Sequence, residues 1–332
     1  MKFQLALGLL ASANASSMQE NFEEYVIKFN KVYESLDSRT QAFRNFGESL
    51  AAIAKHPIDA SYTLGLTRFS DMSAGDFRQQ YLMNVKAEQN CSATLSHDMQ
   101  LSDLPDDDGT PTPDRIDWRD VDAVSVVKDQ GNCGSCWTFS TTGALEAHNF
   151  LQNGEMKLFS EQQLIGCAQD FDNHGCDGGL PSHAFQYVRY NGGIESEADY
   201  PYLGIDADCL FDETKVSAKV ANSYNITFQD EDELMQAVGK FGPVSIAFQV
   251  ASDFSGYTGG VYTSEICSSA PEDVNHAVLA VGYDAKPEDG SAPFWIIKNS
   301  WDTTWGIDGY FKMEMGKNMC GIADCASFPL MD

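Results

Sequence analysis

The sequence predicts an α+β protein in which a helical lobe packs on a β-rich lobe, behind an N-terminal helical segment. Helical periodicity dominates the first part of the chain, and from about residue 216 short runs of β-branched and aromatic residues take over. Helices that precede strands, instead of alternating with them, are typical of this class. With 332 residues and 43% hydrophobic side chains, the chain can form one large core or two modest ones.

The first 15 residues have the pattern of a secretory signal, with Lys2, an apolar run and small residues before Ser16. Apolar residues then recur at three- and four-residue steps from Met18 to Ala54, which predicts a helix that His56-Pro57 ends. A strand is expected over 62–71 and a second helix from about Ser73 to Val85.

Residues 95–113 are rich in Asp, Pro and Ser, which predicts an exposed linker that is easily cut. We therefore expect an N-terminal domain at 16–111 and a second domain at 112–332. In the second domain the patterns predict helices at 136–153, about 181–191 and 231–240, and strands at 244–248, 276–281, 294–297 and 309–313.

The charge is strongly unbalanced, since 49 acidic residues oppose 21 basic ones for a net of −28. Such a surface repels nucleic acid and anionic membranes, and it repels itself least at acidic pH. The charge and the signal together predict the secretory pathway, with a lysosome or other acidic vesicle, or secretion, as the destination. No later run approaches 18 apolar residues, so no membrane span is expected.

Nine cysteines behind a signal predict several disulfides in an oxidising compartment, with at least one thiol left over. Cys136 is the natural candidate, because the predicted helix begins there and ends before Gly154. A helix N-terminus lowers the pKa of a thiol, and the amide of Gln130 can supply a donor beside it, which favours acyl transfer. A redox pair of Cys133 with Cys136, or plain structural thiols, are the alternatives at this point.

A thiol nucleophile needs a base and a group that orients it. His276 opens a strongly apolar strand and can face a cleft there, although a core histidine fits as well. Asn299 follows another apolar strand and can accept the second ring N–H, with Trp301 excluding water; an ordinary turn asparagine is the alternative. The sequence has no His-Glu-x-x-His, paired C-x-x-C or phosphate-binding glycine loop, so no metal or cofactor is predicted.

Three stretches together resemble the papain family of cysteine peptidases: Gln130 to Ser140, Asn275-His276-Ala277 and Asn299-Ser300-Trp301. The resemblance implies a two-lobed papain-like fold with a β-barrel-like second lobe, and a catalytic set of Cys136, His276, Asn299 and Gln130. It also implies a monomer that acts on peptides and proteins and is bound by cystatin-type inhibitors. A thiol–disulfide oxidoreductase has no use for the histidine and asparagine, and a non-catalytic homologue would normally have lost one of the three motifs.

The N-terminal segment resembles the family's inhibitory proregion, which implies a self-inhibited zymogen. Arg39 and Phe43 match its long-helix motif, whereas Ser35, Phe46 and Ala54 depart from it, and Gly65-x-Thr67-x-Phe69-x-Asp71 matches the second motif apart from Thr67. In the family this segment runs backwards through the cleft and is shed in acid.

Further substrate-binding residues follow from the resemblance. Gly178 and Gly179 resemble a loop that pairs with the substrate backbone, with a simple tight turn as the alternative. Trp301 is expected to exclude water from the bond between His276 and Asn299. Trp305 resembles an aromatic residue on the leaving-group side of the cleft, or is a structural indole. Asp302 stands where the family has glycine, and if the backbone there is strained, Asp302 would shift Trp301 and weaken its exclusion of water.

Residues 87–94 resemble a mini-chain that one aminopeptidase branch of the family keeps after processing, which implies mainly aminopeptidase activity with some endopeptidase activity. In that branch a terminal carboxylate, here that of Thr94, meets the α-ammonium of the substrate. The implied disulfides are Cys133–Cys176, Cys167–Cys209, Cys267–Cys320 and Cys91–Cys325, which leave Cys136 free. Asn90 and Asn225 lie in sequons and are the predicted glycosylation sites.

Overall fold

The computed structural model describes residues 17–84, 101, 104 and 109–332. The helices are residues 17–28 (α1), Leu36–Lys55 (α2), Ala74–Tyr81 (α3), Cys136–Asn153 (α4), Glu161–Cys167 (α5), Pro181–Asn191 (α6) and Glu231–Lys240 (α7). The strands are Tyr62–Leu64 (β1), Arg115–Asp117 (β2), Ile194–Glu195 (β3), Val216–Ala218 (β4), Val220–Asn225 (β5), Val244–Phe248 (β6), Tyr257–Tyr262 (β7), His276–Asp284 (β8), Phe294–Lys298 (β9), Tyr310–Glu314 (β10) and Ser327–Met331 (β11). The predicted α+β class is confirmed.

The prediction of a single helix from Met18 to Ala54 is wrong, because the chain turns between α1 and α2. Asn30 adopts a left-handed φ of 49°, and the Ser35 hydroxyl caps α2 by accepting the Ser38 N–H. The turn folds α1 onto α2, so that the rings of Phe22 and Phe46 lie 5.4 Å apart in a small aromatic core.

One buried carboxylate holds this N-terminal unit together. Asp71 accepts hydrogen bonds from the hydroxyls of Tyr25 at 2.8 Å and Tyr33 at 2.9 Å. It also pairs with the Lys31 ammonium at 2.8 Å, and its backbone carbonyl accepts the side-chain amide of Asn45. These contacts join α1, α2 and the stretch after β1 at a single point.

The N-terminal unit continues into the main sheet. The predicted strand over 62–71 is only three residues long, and it pairs antiparallel with β7, Tyr62 opposite Gly260. Helix α3 begins after Ser73 as predicted but ends at Tyr81, four residues before Val85. The residues that follow α3 enter the cleft between the two lobes.

The helical lobe is built around α4, most of whose residues are buried. The predictions for α4, α6 and α7 are confirmed, and α4 ends at Gly154 with a left-handed φ of 72°. Helix α5 is not among the predicted elements. Its Gln162 and Gln163 are buried, and their side-chain oxygens accept the backbone N–H groups of Leu203 and of Glu195 in β3.

The other lobe contains the main sheet, which within the described residues has the order β1-β7-β10-β9-β8-β6-β11-β5, with β2 also on β8. The strand predicted at 244–248 is confirmed, and β8, β9 and β10 differ from the prediction by one to three residues at their ends. Strands β5, β7 and β11 are not among those predicted. Gly259-Gly260 in β7 and Pro329 in β11 hide the strand pattern.

The two lobes are joined by hydrogen bonds between α4 and the sheet. The Ser140 hydroxyl donates to the Val278 carbonyl at 2.7 Å, and the Ser245 hydroxyl donates to the Ser140 carbonyl at 2.9 Å. These bonds fix the second turn of α4 against β8 and β6. None of the described helices has the length and apolarity that crossing a membrane requires.

Candidate active site

Cys136 lies at the first position of α4 and is fully buried. The preceding loop is held by the Cys133–Cys176 disulfide, with Cα atoms 4.8 Å apart. The Cys136 Sγ accepts a hydrogen bond from the Ala277 N–H at 3.3 Å, which ties the sulfur to the residue directly after His276. The thiol of the helical lobe and the histidine of the sheet lobe therefore meet at the cleft.

His276 is the first residue of β8 and Asn299 is the first residue after β9, the neighbouring strand. The His276 Nε2 and the Asn299 Oδ1 are 2.8 Å apart. Because an amide oxygen only accepts, Nε2 carries the hydrogen in this bond. The buried Nδ1 has no hydrogen-bond partner among the described residues, so it is the nitrogen left for the thiol.

Trp301 covers the pair of His276 and Asn299. Its ring stacks on the imidazole at a centroid distance of 4.6 Å and an interplanar angle of 24°, and it is fully buried. Water is thus kept from the hydrogen bond that orients the imidazole.

Burial sets the protonation states of the two reactive groups in this structure. It raises the pKa of the Cys136 thiol to about 12, although the N–H groups of Ala277, Trp137 and Cys136 lower it. It lowers the pKa of His276 to about 4, although the hydrogen bond that His276 donates to Asn299 raises it. The prediction of a lowered Cys136 pKa is wrong in this state, because loss of solvent outweighs the helix N-terminus.

Gln130 is also fully buried, beside the loop that precedes Cys136. Its Nε2 donates to the carbonyls of Tyr81 at 3.0 Å and Cys133 at 2.8 Å. Its Oε1 accepts from the Ser300 hydroxyl at 2.7 Å and from the Trp301 indole at 3.1 Å. The amide is therefore fixed, and a carbonyl of the N-terminal segment takes one of its donors.

Residues 81–84 lie in the cleft and make backbone contacts to both lobes. The Met83 N–H donates to the Asn275 carbonyl and the Asn84 N–H to the Asp177 carbonyl, each at 2.8 Å. The Tyr81 hydroxyl donates to the Asn132 side chain at 2.7 Å.

Gly134 is a functional residue that the sequence reasoning missed. A Cβ on this glycine would lie 2.9 Å from the Leu82 carbonyl oxygen and 2.4 Å from that of Cys176. Only glycine lets the N-terminal segment pass this close to the loop that precedes Cys136. Its position between two cysteines was the available signal.

The predicted loop glycines have different local roles. A Cβ on Gly179 would lie 2.7 Å from the Trp137 ring, and Gly178 has a φ of 130°. The Gly178 carbonyl accepts the His174 N–H, so in this structure the backbone of Asp177, not that of the glycines, bonds to the N-terminal segment.

The tryptophans at the other end of the cleft are covered by aromatic rings of the N-terminal segment. Phe69 and Phe77 each lie 5.3 Å from the Trp301 ring at nearly perpendicular angles. Trp305 lies 4.8 Å from Trp301, is fully buried, and donates its indole N–H to the Ser255 carbonyl.

Asp302 adopts a left-handed φ of 66°, the conformation that favours glycine. Its Oδ1 accepts the Thr304 N–H and the Thr303 hydroxyl, which stabilises this turn. This turn does not displace Trp301, since that ring stays buried and stacked on the imidazole.

The disulfides Cys133–Cys176, Cys167–Cys209 and Cys267–Cys320 are present as predicted, and Cys136 is the free cysteine among the described residues. Cys325 is disulfide-bonded, and no other described cysteine is available to it. Cys91, Thr94 and Asn90 lie outside the described residues, so the fourth disulfide, the mini-chain and that glycan stay predictions.

Asn225 is only 8% exposed in β5, which argues against a glycan there. No group of metal-binding side chains occurs in the described ranges.

Comparison with known proteins gives two family matches along the chain. Residues 112–330 match the papain family cysteine protease model, and residues 22–77 match the cathepsin propeptide inhibitor domain. "Cysteine proteinase 2" of Zea mays is 50% identical over 313 residues, 93% of this chain and 84% of that protein. "Pro-cathepsin H" of Bos taurus is 46% identical over 326 residues, 96% of this chain and 92% of that protein.

Solved structures agree with these matches. The digestive procathepsin L2 proteinase from Tenebrio molitor larval midgut superposes with a TM-score of 0.84 at 35% identity, over 94% of this chain and 99% of that one.

Proposed function

Because the chain belongs to the papain family of cysteine proteases and carries an inhibitory propeptide, we propose that it is a zymogen whose mature form uses Cys136, His276 and Asn299. The mature enzyme acts mainly as an aminopeptidase of the cathepsin H kind, with weaker endopeptidase activity. The observation that carries the catalytic assignment is the 2.8 Å bond between His276 and Asn299 under Trp301, next to the sulfur of Cys136.

The reaction is acyl transfer from the peptide to sulfur and then to water. The Cys136 thiolate, paired with protonated His276, attacks the scissile carbonyl. The Gln130 amide and the Cys136 N–H stabilise the oxyanion, each donor contributing roughly 2.7–4 kcal/mol. His276 then protonates the leaving amine and activates the water that releases the acyl group, while Asn299 holds the imidazole in place.

The propeptide blocks this reaction in three ways. Residues 81–84 occupy the cleft, and the Tyr81 carbonyl engages the amide that the oxyanion needs. Burial under the propeptide keeps the thiol and the imidazole neutral, since it raises the pKa of Cys136 and lowers that of His276. Removal of the propeptide restores solvent and with it the ion pair.

The charge and the family also bear on where the mature enzyme acts, on its oligomeric state and on its inhibitors. The acidic charge and the family favour an acidic vesicle such as the lysosome, or secretion, as the site of action. We expect a monomer whose emptied cleft accepts cystatin-type inhibitors as well as peptide and protein substrates.

The aminopeptidase mode rests on the predicted mini-chain at 87–94. Cys325, on the sheet lobe, is disulfide-bonded, and Cys91 is the cysteine left to pair with it. A mini-chain retained there closes one end of the cleft and lets the Thr94 carboxylate bind a free α-ammonium. The similarity to the bovine pro-cathepsin H supports this mode.

The test compares the wild type with Cys91→Ser after maturation in acid, on peptides that differ only in N-terminal acetylation. The variant is expected to shift the ratio of kcat/KM values toward the acetylated peptide, because its blocking chain is lost. An unchanged ratio refutes the mini-chain. Non-reducing mass spectrometry of the matured wild type should also find a peptide that ends at Thr94 and is released by reduction.

The oxidoreductase alternative loses its redox pair, because Cys133 is bonded to Cys176 and not to Cys136. A non-catalytic homologue is the remaining alternative, and absence of cleavage of any peptide by the matured protein would favour it.

A further inference from the structure

We propose that Asp129 and Asp302 form a cation-binding subsite on the leaving-group side of the cleft. This subsite selects peptides that carry arginine or lysine one or two residues after the scissile bond. The inference rests on the proposed peptidase function and names the substrate class of the mature enzyme. In the zymogen Arg68 of the propeptide occupies the subsite.

Three oxygens of the protease domain surround the guanidinium of Arg68. Its Nη1 lies 2.6 Å from Asp129 Oδ2, 3.9 Å from Asp302 Oδ2, and 3.3 Å from the Trp301 carbonyl oxygen. The side chain of Arg68 is 23% exposed in this position. A planar group with several N–H donors suits this set of acceptors.

Both carboxylates are carried by backbone that also carries the catalytic machinery. The Gln130 N–H donates to the Ser300 carbonyl at 2.9 Å, and the Asp302 N–H donates to the Lys128 carbonyl at 3.2 Å. Asp129 and Trp301 face each other in this short antiparallel pairing. The position of the subsite is therefore fixed relative to the Gln130 amide and the Trp301 ring.

The contacts of the propeptide define the side of the cleft. Asn84 bonds at Asp177, next to Gly178 and Gly179, which by the family resemblance pair with the substrate backbone. Trp305, which resembles an aromatic on the leaving-group side, lies 4.8 Å from Trp301. Phe69, the neighbour of Arg68, packs on Trp301 at the opposite end. The Arg68 position is therefore on the side that receives the leaving group.

Chain direction does not restrict this ion pair. Backbone pairing depends on the direction of a bound peptide, but the attraction between a side-chain cation and two carboxylates does not. Among the described residues Arg68 is the basic side chain paired with Asp129 and with Asp302. Both carboxylates are thus without a cation after the propeptide leaves, and a basic substrate residue replaces it.

The experiment uses acid-matured full-length protein and quenched peptides that are identical except at the first or second residue after the scissile bond. That residue is arginine, leucine or glutamate, and each peptide is made with a free and an acetylated N-terminus. We expect kcat/KM for arginine to exceed that for leucine by about fivefold in dilute buffer at one of the two positions, as for partly exposed ion pairs. The preference should shrink in about 0.5 M salt, because salt screens exposed charges.

Asp129→Asn combined with Asp302→Asn should bring the arginine-to-leucine ratio close to one, and Asp129→Lys should favour glutamate. The arginine-to-leucine ratio compares two peptides cleaved by the same enzyme. A general loss of activity in a variant therefore lowers both kcat/KM values and cancels in the ratio. Asp289→Asn removes one carboxylate charge at an exposed site away from the subsite and should keep the wild-type ratio.

Cleavage by the wild type without preference for arginine at either position overturns this inference alone. A double variant that keeps the wild-type ratio overturns it as well. If none of the peptides is cleaved, the proposed function is refuted and this inference falls with it.

Discussion

Replacement of Asn299 by alanine tests how the imidazole is held. The bond to His276 is 2.8 Å long and lies under the Trp301 ring, so water cannot replace the lost oxygen. A hydrogen bond to a charged group contributes about 1.5–3 kcal/mol, which corresponds to a loss of about 10- to 150-fold in kcat/KM. We expect a decrease in this range for the matured Asn299→Ala enzyme.

The same change should alter the pH profile. The Asn299 oxygen stabilises the imidazolium and raises the pKa of His276, so its removal lowers that pKa. The alkaline limb of kcat/KM should therefore move to lower pH in Asn299→Ala. Asn299→Asp keeps an acceptor and should hold the limb at or above its wild-type position.

The assay is the pH dependence of kcat/KM on one peptide substrate for the three enzymes. Asn222→Ala, which removes a surface contact to Arg189, is the matched control and should match the wild type. A loss of less than threefold in Asn299→Ala, with an unmoved alkaline limb, would refute an orienting role.

Three further outcomes follow from the site. Gln130→Ala should lower kcat/KM of the matured enzyme by about 10²–10³-fold, and a loss below about fivefold would exclude Gln130 as an oxyanion donor. Cys136→Ala should abolish activity and self-processing, whereas Cys133→Ala should mainly lower Tm, since a disulfide contributes about 2–4 kcal/mol; equal losses of activity would contradict this. The folded zymogen holds the pKa of His276 at about 4 against an ordinary 6.5, so the unfolded chain binds a proton in that window that the folded chain does not. Zymogen stability should therefore fall as pH drops from 6.5 to 4, and His276→Gln should weaken this dependence in Tm measurements; an unchanged dependence would show that His276 remains solvated.

Much of the site follows from local sequence signals. The bounds of α4 follow from helical periodicity and the glycine at its end, and His276 stands at the start of β8 as the apolar run predicts. The residues that surround the Cys136 sulfur are distant from it in sequence, so only the family resemblance brought them together before the structure did.

Other features depend on contacts that a local pattern does not contain. The turn at Asn30 is stabilised by the packing of α1 on α2, and β11 forms despite Pro329 because it pairs with β5. The raised pKa of Cys136 is also non-local, since a helix N-terminus is visible in the sequence but the burial that opposes it is not. Asp302 keeps a glycine-like conformation because two threonines donate to its carboxylate.

The rate of Cys136 alkylation by iodoacetamide as a function of pH tests most directly the claim that a thiolate–imidazolium pair is formed only after the propeptide leaves. Cys136 is the free cysteine of the described residues, so the label reports on one sulfur. The matured enzyme should react rapidly on a plateau that begins in the acidic range and is lost in His276→Gln, while the zymogen should stay unreactive up to strongly alkaline pH. A single slow rise near pH 8–9, the same in zymogen, mature enzyme and variant, would contradict the account.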